Sequence, residues 1–261
     1  MSGSQVSQYA QQIILPKTDS HKGQNGRVLV IGGSKLFHAA SFWAASMASK
    51  IVDMVHFSSP VMENNDLMRV KAKEKFWEGI VVSWEDVEKY IEEDDCILIG
   101  PGMERGEETR VLVNDLLRRY PDKKWVVDGG ALQEVDPILL NNNMIITPNL
   151  REQEIVAGKV ASEVTTLAKG VVDVITQSGE REEVGGGSSG MTKGGTGDVL
   201  AGLVAGLYAK SPAMASCVLA SQVNKRAGEE LEKTMGVFFA AIDLIPQVQI
   251  DLGKITRFGT L

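Results

Sequence analysis

The chain has 261 residues, 43% of them hydrophobic and 23% charged, and its formal net charge at pH 7 is −7. This composition is typical of a globular protein and excludes an intrinsically disordered chain. The acidic balance, without a continuous Lys and Arg track, argues against nucleic acid as a ligand. No segment approaches the roughly 18 apolar residues of a membrane span, so we expect a cytoplasmic protein that does not enter a membrane. We expect residues 1–261 to form one domain.

Short apolar runs alternate with helical segments through the first two thirds of the chain. In chain order the predicted elements are a strand in 27–33, a helix at 39–51, strands at 54–59 and 96–100, a helix at 109–120, a strand at 124–128, a short helix near 137–140, a strand at 144–147, a helix from residue 151 and a strand at 171–176. This alternation predicts a three-layer α/β fold, in which helices cover both faces of a mainly parallel central sheet.

The last third of the chain changes character at a glycine-rich loop. Beyond this loop we predict helices at 199–209, 213–231 and 241–248, which would cover the sheet. Cys96 and Cys217 lie far apart in apolar stretches, so we predict buried free thiols and no metal or redox site.

Small and polar residues follow four of the predicted strands. They are Gly32-Gly33-Ser34, Gly100-Pro101-Gly102, Asp128-Gly129-Gly130 and Thr147-Pro148-Asn149. Because the carboxyl ends of parallel strands lie at one edge of a sheet, these residues predict one ligand-binding crevice.

The loop at 193–198 (KGGTGD) is the strongest local signal for chemistry. Its three glycines allow backbone N–H groups to surround an anion, and the start of the following helix adds positive potential. Asp198 can act there as a general base toward a substrate hydroxyl during phosphoryl transfer. Alternatively, the loop is a turn in which Asp198 only caps the helix. The order GxxxxGK[ST] does not occur and the first strand lacks GxGxxG, which argues against a P-loop protein and a hydride-transferring Rossmann enzyme.

Four segments together resemble the ADP- or ATP-dependent NAD(P)H-hydrate dehydratases of the ribokinase-like superfamily. They are HKGQNGRVLVIGGS (21–34), ILIGPGM (97–103), ITPN (146–149) and MTKGGTGDVLAGLVAGL (191–207). The resemblance implies a ribokinase-like fold and a hydro-lyase that repairs hydrated NADH or NADPH, by phosphorylation of the ring hydroxyl and elimination of phosphate. It also implies ADP or ATP, together with Mg²⁺ that bridges the phosphates and is not held in a metal site of protein ligands.

The same resemblance assigns roles to individual residues. Asp198 is implied as the catalytic base and as a substrate contact. The implied nucleotide-binding residues are Lys169, Gly170, Val171, Val172, Asp173, Gly194, Gly195, Thr196 and Gly197, and the implied substrate-binding residues are Ala40, Gly102, Asn149 and Asp128. The resemblance further implies a homo-oligomer, with a tetramer as the expected state. Because the sequence contains no epimerase domain, we expect a separate protein to supply any epimerase activity.

Three departures from the family's pattern accompany this resemblance. The family's TPHPGE reads TPNLRE here, so Asn149 stands at a histidine position and cannot carry a charge. The family's GYTGA reads LFHAA, in which Ala39 replaces a glycine of a tight turn and His38 is a candidate ligand contact. Only nineteen residues separate Asn149 from Lys169, which predicts a shortened crossover.

Two other functions remain open from the sequence. The chain could be a ribokinase-like kinase of a small hydroxylated metabolite, or a nucleotide-binding protein that has lost turnover. Two single residues also have ordinary structural alternatives: Lys169 could be a solvent-facing lysine at a helix end, and Asp128 could cap a turn.

Overall fold

A computed structural model gives the structure of residues 8–75 and 78–258. Within these residues, nine strands form one sheet in the order β3-β2-β1-β4-β5-β6-β7-β8-β9. Their bounds are β1 (Arg27–Ile31), β2 (Met54–Ser58), β3 (Ile80–Val81), β4 (Cys96–Ile99), β5 (Trp125–Val127), β6 (Met144–Ile146), β7 (Thr165–Ala168), β8 (Asp173–Gln177) and β9 (Glu180–Val184).

The first seven strands run parallel, and β8 and β9 add an antiparallel pair at one edge of the sheet. The register pairs Ile31 of β1 with Ile99 of β4, and Val127 of β5 with Ile146 of β6. The last residues of β1, β4, β5 and β6 therefore lie side by side at the carboxyl edge of the sheet. The strand order reverses at β1, which pairs with β2 on one side and β4 on the other, and open α/β sheets bind ligands at such a reversal.

Helices cover both faces of the sheet, as the sequence predicts. Their bounds are α1 (Ala39–Ala48), α2 (Met62–Lys75), α3 (Val87–Glu93), α4 (Glu107–Arg119), α5 (Gly129–Glu134), α6 (Leu150–Val156), α7 (Thr196–Tyr208), α8 (Ala213–Met235) and α9 (Ala241–Phe258). One core joins α1, α2, α7, α8 and α9 to strand residues such as Val30, and a second core joins α3, α4, α5 and α6 to residues such as Ile31. Successive strand residues point to opposite faces, so one apolar run supplies both cores.

Helix α7 packs closely on α1 and on the residues that follow it. A β-carbon at Gly202 would lie 2.2 Å from the carbonyl oxygen of Ala44, and one at Gly206 would lie 2.8 Å from Ile51. The small residues of both helices thus allow their backbones to approach each other. At the start of α7 a β-carbon on Gly195 would likewise lie 2.3 Å from the Trp43 ring of α1, so the two helices are in close contact along the length of α7.

Several predicted boundaries are wrong. The predicted strand at 171–176 begins at Asp173, and the flanking strands β7 and β9 are not predicted because neither has a long apolar run. Helix α7 begins at Thr196 and not at residue 199, and α9 continues to Phe258 because Val248 and Ile255 extend its buried face. The predicted short helix near 137–140 is a 3-10 turn at Pro137–Leu139.

The predicted free thiols are confirmed, since Cys96 and Cys217 are both buried and unpaired, and burial raises the pKa of each thiol. Among residues 8–75 and 78–258, no helix is long and apolar enough to span a membrane.

Candidate active site

Glycines bring neighbouring strand ends into contact at the carboxyl edge of the sheet. The Gly33 N–H donates a hydrogen bond of 2.8 Å to the Pro101 carbonyl oxygen, which joins the loops after β1 and β4. A β-carbon at Gly100 would lie 1.8 Å from the Asp128 carbonyl oxygen, so only glycine fits at this position, where the loops after β4 and β5 meet. Three of the four strand ends predicted to form the crevice are therefore in contact.

Two predicted substrate residues, Ala40 and Gly102, lie side by side on this surface. A β-carbon at Gly102 would lie 3.1 Å from the Ala40 β-carbon and 2.8 Å from the Phe37 carbonyl oxygen. Ala39 is the first residue of α1 and has no positive φ, so its replacement of a glycine causes no backbone strain here. His38 contacts Asn64 through an Nδ1 to Oδ1 distance of 2.9 Å.

Asp128 forms the buried centre of the candidate site. It follows β5 and is 3% exposed, and its Oδ1 accepts a hydrogen bond of 2.6 Å from the Thr147 hydroxyl. The same oxygen lies 2.8 Å from the Lys169 Nζ. The carboxylate thus joins the ends of β5, β6 and β7.

Lys169 links this carboxylate to the glycine loop. Its ammonium group lies 3.5 Å from the position of a β-carbon on Gly197, at the first turn of α7. Lys169 directly follows strand β7, and its side chain is only 18% exposed. The alternative of a solvent-facing lysine at a helix end is therefore wrong. Burial alone would lower the pKa of Lys169, but the Asp128 carboxylate, together with Glu152 and Asp198, outweighs burial and the pKa is raised. The lysine therefore remains a cation.

Asp198 is the third residue of α7, and Gly195 is the N-cap. Asp198 is therefore not the N-cap of this helix, and its role as the base stays a prediction. Burial and the nearby Asp128 carboxylate raise the pKa of Asp198 to about 7, and the Lys169 cation opposes that rise. A carboxylate whose pKa lies near neutrality is suited to accept a proton at physiological pH.

The glycine loop is held from its outer side. The Thr196 hydroxyl donates to the Met191 carbonyl oxygen at 2.6 Å, and the Lys193 Nζ donates to the Phe239 carbonyl oxygen at 2.8 Å. Gly195 has a φ of 97°, and a β-carbon there would lie 2.3 Å from the Trp43 ring. A β-carbon at Gly194 would meet nothing within 4 Å, so this side of the loop is open.

Asn149 begins α6. Its Oδ1 accepts hydrogen bonds from the backbone N–H groups of Arg151 and Glu152, while Glu152 Oε2 accepts the Asn149 N–H at 2.9 Å. This capping box uses the side-chain oxygen of Asn149 and leaves its NH₂ group to donate. Helix α6 has only seven residues, in keeping with the predicted short crossover.

The segment 169–173, predicted to bind the nucleotide, divides into two parts. Val171 and Val172 are exposed, and the loop passes through Gly170. Asp173 instead is 4% exposed, and its carboxylate accepts the Gly170 N–H at 2.8 Å and lies 3.3 Å from the Lys225 Nζ. The side chain of Asp173 thus contacts protein groups, and its role as a direct nucleotide contact stays a prediction.

Sequence reasoning missed the residues that hold this site together. Thr147 was assigned only as a small strand-end residue, and Glu152 and Lys225 were not identified at all. The pattern Asn-x-x-Glu at 149–152 could have identified Glu152, because it is a capping-box signature. No local pattern marks Lys225, since its partner Asp173 lies 52 residues earlier.

The chain is similar to known proteins over most of its length. A family model described as NAD(P)H-hydrate dehydratase matches residues 28–249. A bifunctional NAD(P)H-hydrate repair enzyme of Methanocaldococcus jannaschii is 34% identical over 88% of this chain and 49% of its own length. An ADP-dependent (S)-NAD(P)H-hydrate dehydratase of Nitrosopumilus maritimus is 31% identical over 89% of this chain and 90% of its own length. The chain thus spans about half the length of the bifunctional relative.

Solved structures share the fold. A ribokinase-like superfamily protein from Enterococcus faecalis superposes with a TM-score of 0.81 at 21% identity, covering 97% of this chain and 95% of its own. An ADP/ATP-dependent NAD(P)H-hydrate dehydratase from Bacillus subtilis, co-crystallized with ATP/Mg²⁺, gives a TM-score of 0.76 at 19% identity, covering 96% of this chain and 97% of its own. The predicted ribokinase-like fold is confirmed.

Proposed function

The chain belongs to the NAD(P)H-hydrate dehydratase family, and we propose that it removes water from hydrated NADH or NADPH in a reaction driven by ADP or ATP. One structural observation supports the proposal in addition to family membership. Asp198, with a pKa raised to about 7, lies at the first turn of α7 beside the Lys169–Asp128 ion pair. This arrangement combines a base with groups that hold a phosphate.

Asp198 is the proposed base for the ring hydroxyl. The hydroxyl gives its proton to the carboxylate while its oxygen takes the terminal phosphoryl group of the nucleotide. The carbon–oxygen bond then breaks, phosphate leaves with that oxygen, and loss of a ring proton restores the double bond. Asp128 holds Lys169 in place through the 2.8 Å contact. The Asp128 carboxylate raises the pKa of Asp198, and the Lys169 cation lowers it.

The glycine loop and Lys169 fit the phosphates of a nucleotide. The first N–H groups of α7 lack helical partners, the open side at Gly194 leaves room for an anion, and Lys169 supplies a cation beside Gly197. Among the described residues there is no group of three acidic, histidine or cysteine side chains that could hold a metal. We propose that Mg²⁺ enters with the nucleotide, where it would supply positive charge to the phosphates beside Lys169.

The test is to incubate the protein with hydrated NADH or NADPH, Mg²⁺ and either ADP or ATP, and to follow the absorbance of the reduced nicotinamide. We expect recovery of that absorbance, and a loss of about 10²–10⁴-fold in kcat for Asp198→Asn. Asp115→Asn, an exposed acid of α4 paired with Arg119, is the charge-matched control and should retain full activity.

Each failure of this test has a distinct meaning. Accumulation of a stable phosphorylated product would favour a ribokinase-like kinase. Nucleotide binding without recovery of absorbance would favour a protein that has lost turnover. Activity retained in Asp198→Asn would show that Asp198 is not the base.

A further inference from the structure

Helix α8 carries a line of polar side chains toward the candidate nucleotide site. Ser221, Lys225 and Glu229 are spaced four residues apart, so they lie on one face of the helix. The preceding turn of the same face is apolar and fully buried at Cys217 and Val218. We call these three residues the α8 polar line.

The first contact of this line is with Asp173, at the start of β8. The Ser221 hydroxyl donates to Asp173 Oδ2 at 2.6 Å, and the Lys225 Nζ lies 3.3 Å from Oδ1. The side chains of Lys225 and Asp173 are 8% and 6% exposed, so this ion pair is shielded from solvent. Burying two charges costs desolvation free energy, so removing one partner of this pair would leave an uncompensated charge.

The Lys225 ammonium also holds the loop that carries Lys169. It donates to the carbonyl oxygen of Gly170 at 2.9 Å and to that of Val171 at 3.0 Å. Asp173 accepts the Gly170 N–H at 2.8 Å from the other side. Both backbone polar groups of Gly170 are thereby fixed by the same ion pair.

The third residue of the line holds the chain that leads to the glycine loop. Glu229 Oε1 accepts the Gly187 N–H at 3.0 Å, and it would lie 2.5 Å from a β-carbon at Gly186. Gly187 also lies against the stem of Lys225, whose Cγ would be 3.4 Å from a β-carbon there. One helix face thus contacts both loops that flank Lys169 and Gly197.

We propose that Lys225 and Glu229 are positioning residues for nucleotide binding. They set the distance between the 169–172 loop and the 185–187 loop, and so hold Lys169 over the first turn of α7. The proposal rests on the proposed function only in taking these two loops as the nucleotide site. It predicts that the α8 polar line governs affinity for the nucleotide and leaves the hydrated substrate largely unaffected.

Lys225→Met tests the proposal because methionine keeps the apolar stem and removes the donors. We expect the Kd of ADP and ATP, measured by calorimetry, to rise roughly tenfold, with a matching rise in the nucleotide KM. We expect kcat and the KM for the hydrate to change less than twofold. Lys233→Met on the same helix, an exposed lysine paired with Glu230, is the control and should leave every constant unchanged.

The double variant Asp173→Asn/Lys225→Met separates positioning from charge balance. It removes both buried charges, so its thermal stability should return close to that of the wild type. Nucleotide affinity should nevertheless stay weak, because the Gly170 and Val171 carbonyl oxygens still lack their donor. Full recovery of affinity in the double variant would overturn the proposal.

Glu229→Gln provides an independent arm, since Glu229 is partly exposed and its replacement is compatible with folding. It should raise the nucleotide Kd less than Lys225→Met does, because one neutral acceptor remains. Unchanged nucleotide binding in both Lys225→Met and Glu229→Gln would overturn this proposal while leaving the dehydratase activity intact. Conversely, a wild-type protein that binds nucleotide but does not dehydrate the hydrate would refute the proposed function alone. A wild-type protein that binds no nucleotide would refute both.

Discussion

Two charged neighbours, Asp128 and Lys169, influence the protonation of Asp198. Burial and the Asp128 carboxylate raise the pKa of Asp198 to about 7, while Lys169 lowers it. The 2.8 Å pair between Lys169 and Asp128 means that neither neighbour acts alone. Because a base must be deprotonated to accept a proton, small changes in this cluster should alter activity near neutral pH.

The pH dependence of the reaction follows from this pKa. We expect kcat/KM to rise with pH along an acid limb centred near pH 7, as Asp198 loses its proton. Asp128→Asn removes a negative charge and should move this limb to lower pH, whereas Lys169→Met removes a positive charge and should move it to higher pH. Initial rates measured from pH 5 to about 9 would check both directions, and shifts of equal sign would contradict the assignment.

Asp198→Asn should also reveal the cost of this carboxylate to stability. The folded-state pKa of Asp198, about 7, lies above its ordinary value of 3.8, so the wild type loses stability as pH rises through 7. Asparagine carries no such charge. Since the carboxylate is partly solvated, we expect the variant to be more stable by about 1–2 kcal/mol at pH 8, with no difference below about pH 4. Thermal unfolding at both pH values would test this, and a variant destabilised at pH 8 would contradict it.

Among the elements, the start of α7 depends on Gly195. Its φ of 97° and the 2.3 Å approach of a β-carbon to the Trp43 ring exclude a side chain. Gly195→Ala should therefore lower the free energy of unfolding by about 2–4 kcal/mol. Gly194→Ala is the matched control, because its β-carbon would meet nothing within 4 Å, and it should change stability by less than about 0.5 kcal/mol. Equal Tm values for the two variants would contradict this.

Helix α6 shows how an element changes the interpretation of a residue. From the sequence, Asn149 stands at the position of a charged substrate contact. In the structure its side-chain oxygen caps α6 and its backbone N–H completes a capping box with Glu152. Asn149 as a substrate contact therefore stays a prediction that rests on its NH₂ group alone.

At the scale of the whole molecule, nucleotide binding should stabilise the fold. A ligand at 100 times its Kd contributes about 2.7 kcal/mol, which corresponds to roughly 5–10 °C in Tm for a chain of this size. We expect this rise with ADP or ATP and Mg²⁺ in the wild type and in Asp198→Asn, because Asp198 is proposed to act on the hydroxyl and not on the phosphates. Thermal shift measurements would check it, and loss of the rise in Asp198→Asn would assign Asp198 to nucleotide binding.

The homo-oligomer, the single domain and the separate epimerase remain predictions for the whole molecule. Size-exclusion chromatography with light scattering would measure the oligomeric state directly. We propose the tetramer that the family resemblance implies as the state to test.

Local patterns in the sequence were enough to predict several strands of the sheet and the glycine loop. The apolar runs of β1, β4, β5 and β6 are continuous and bounded by turn residues, so their strands follow from burial and chain geometry within a few residues. Three glycines next to Asp198 likewise predict a phosphate loop, and Gly195 has the positive φ that favours glycine. The family resemblance then connected the loop to a reaction.

Only the tertiary structure decided which charges meet. Asp128 and Lys169 are 41 residues apart, and their contact depends on β5, β6 and β7 ending side by side. Asp173 and Lys225 meet because α8 packs on β8, which no local pattern of either segment specifies. The sequence alone predicted the loop that would hold phosphate, and the order of the strands brought Asp128 and Lys169 together beside Asp198.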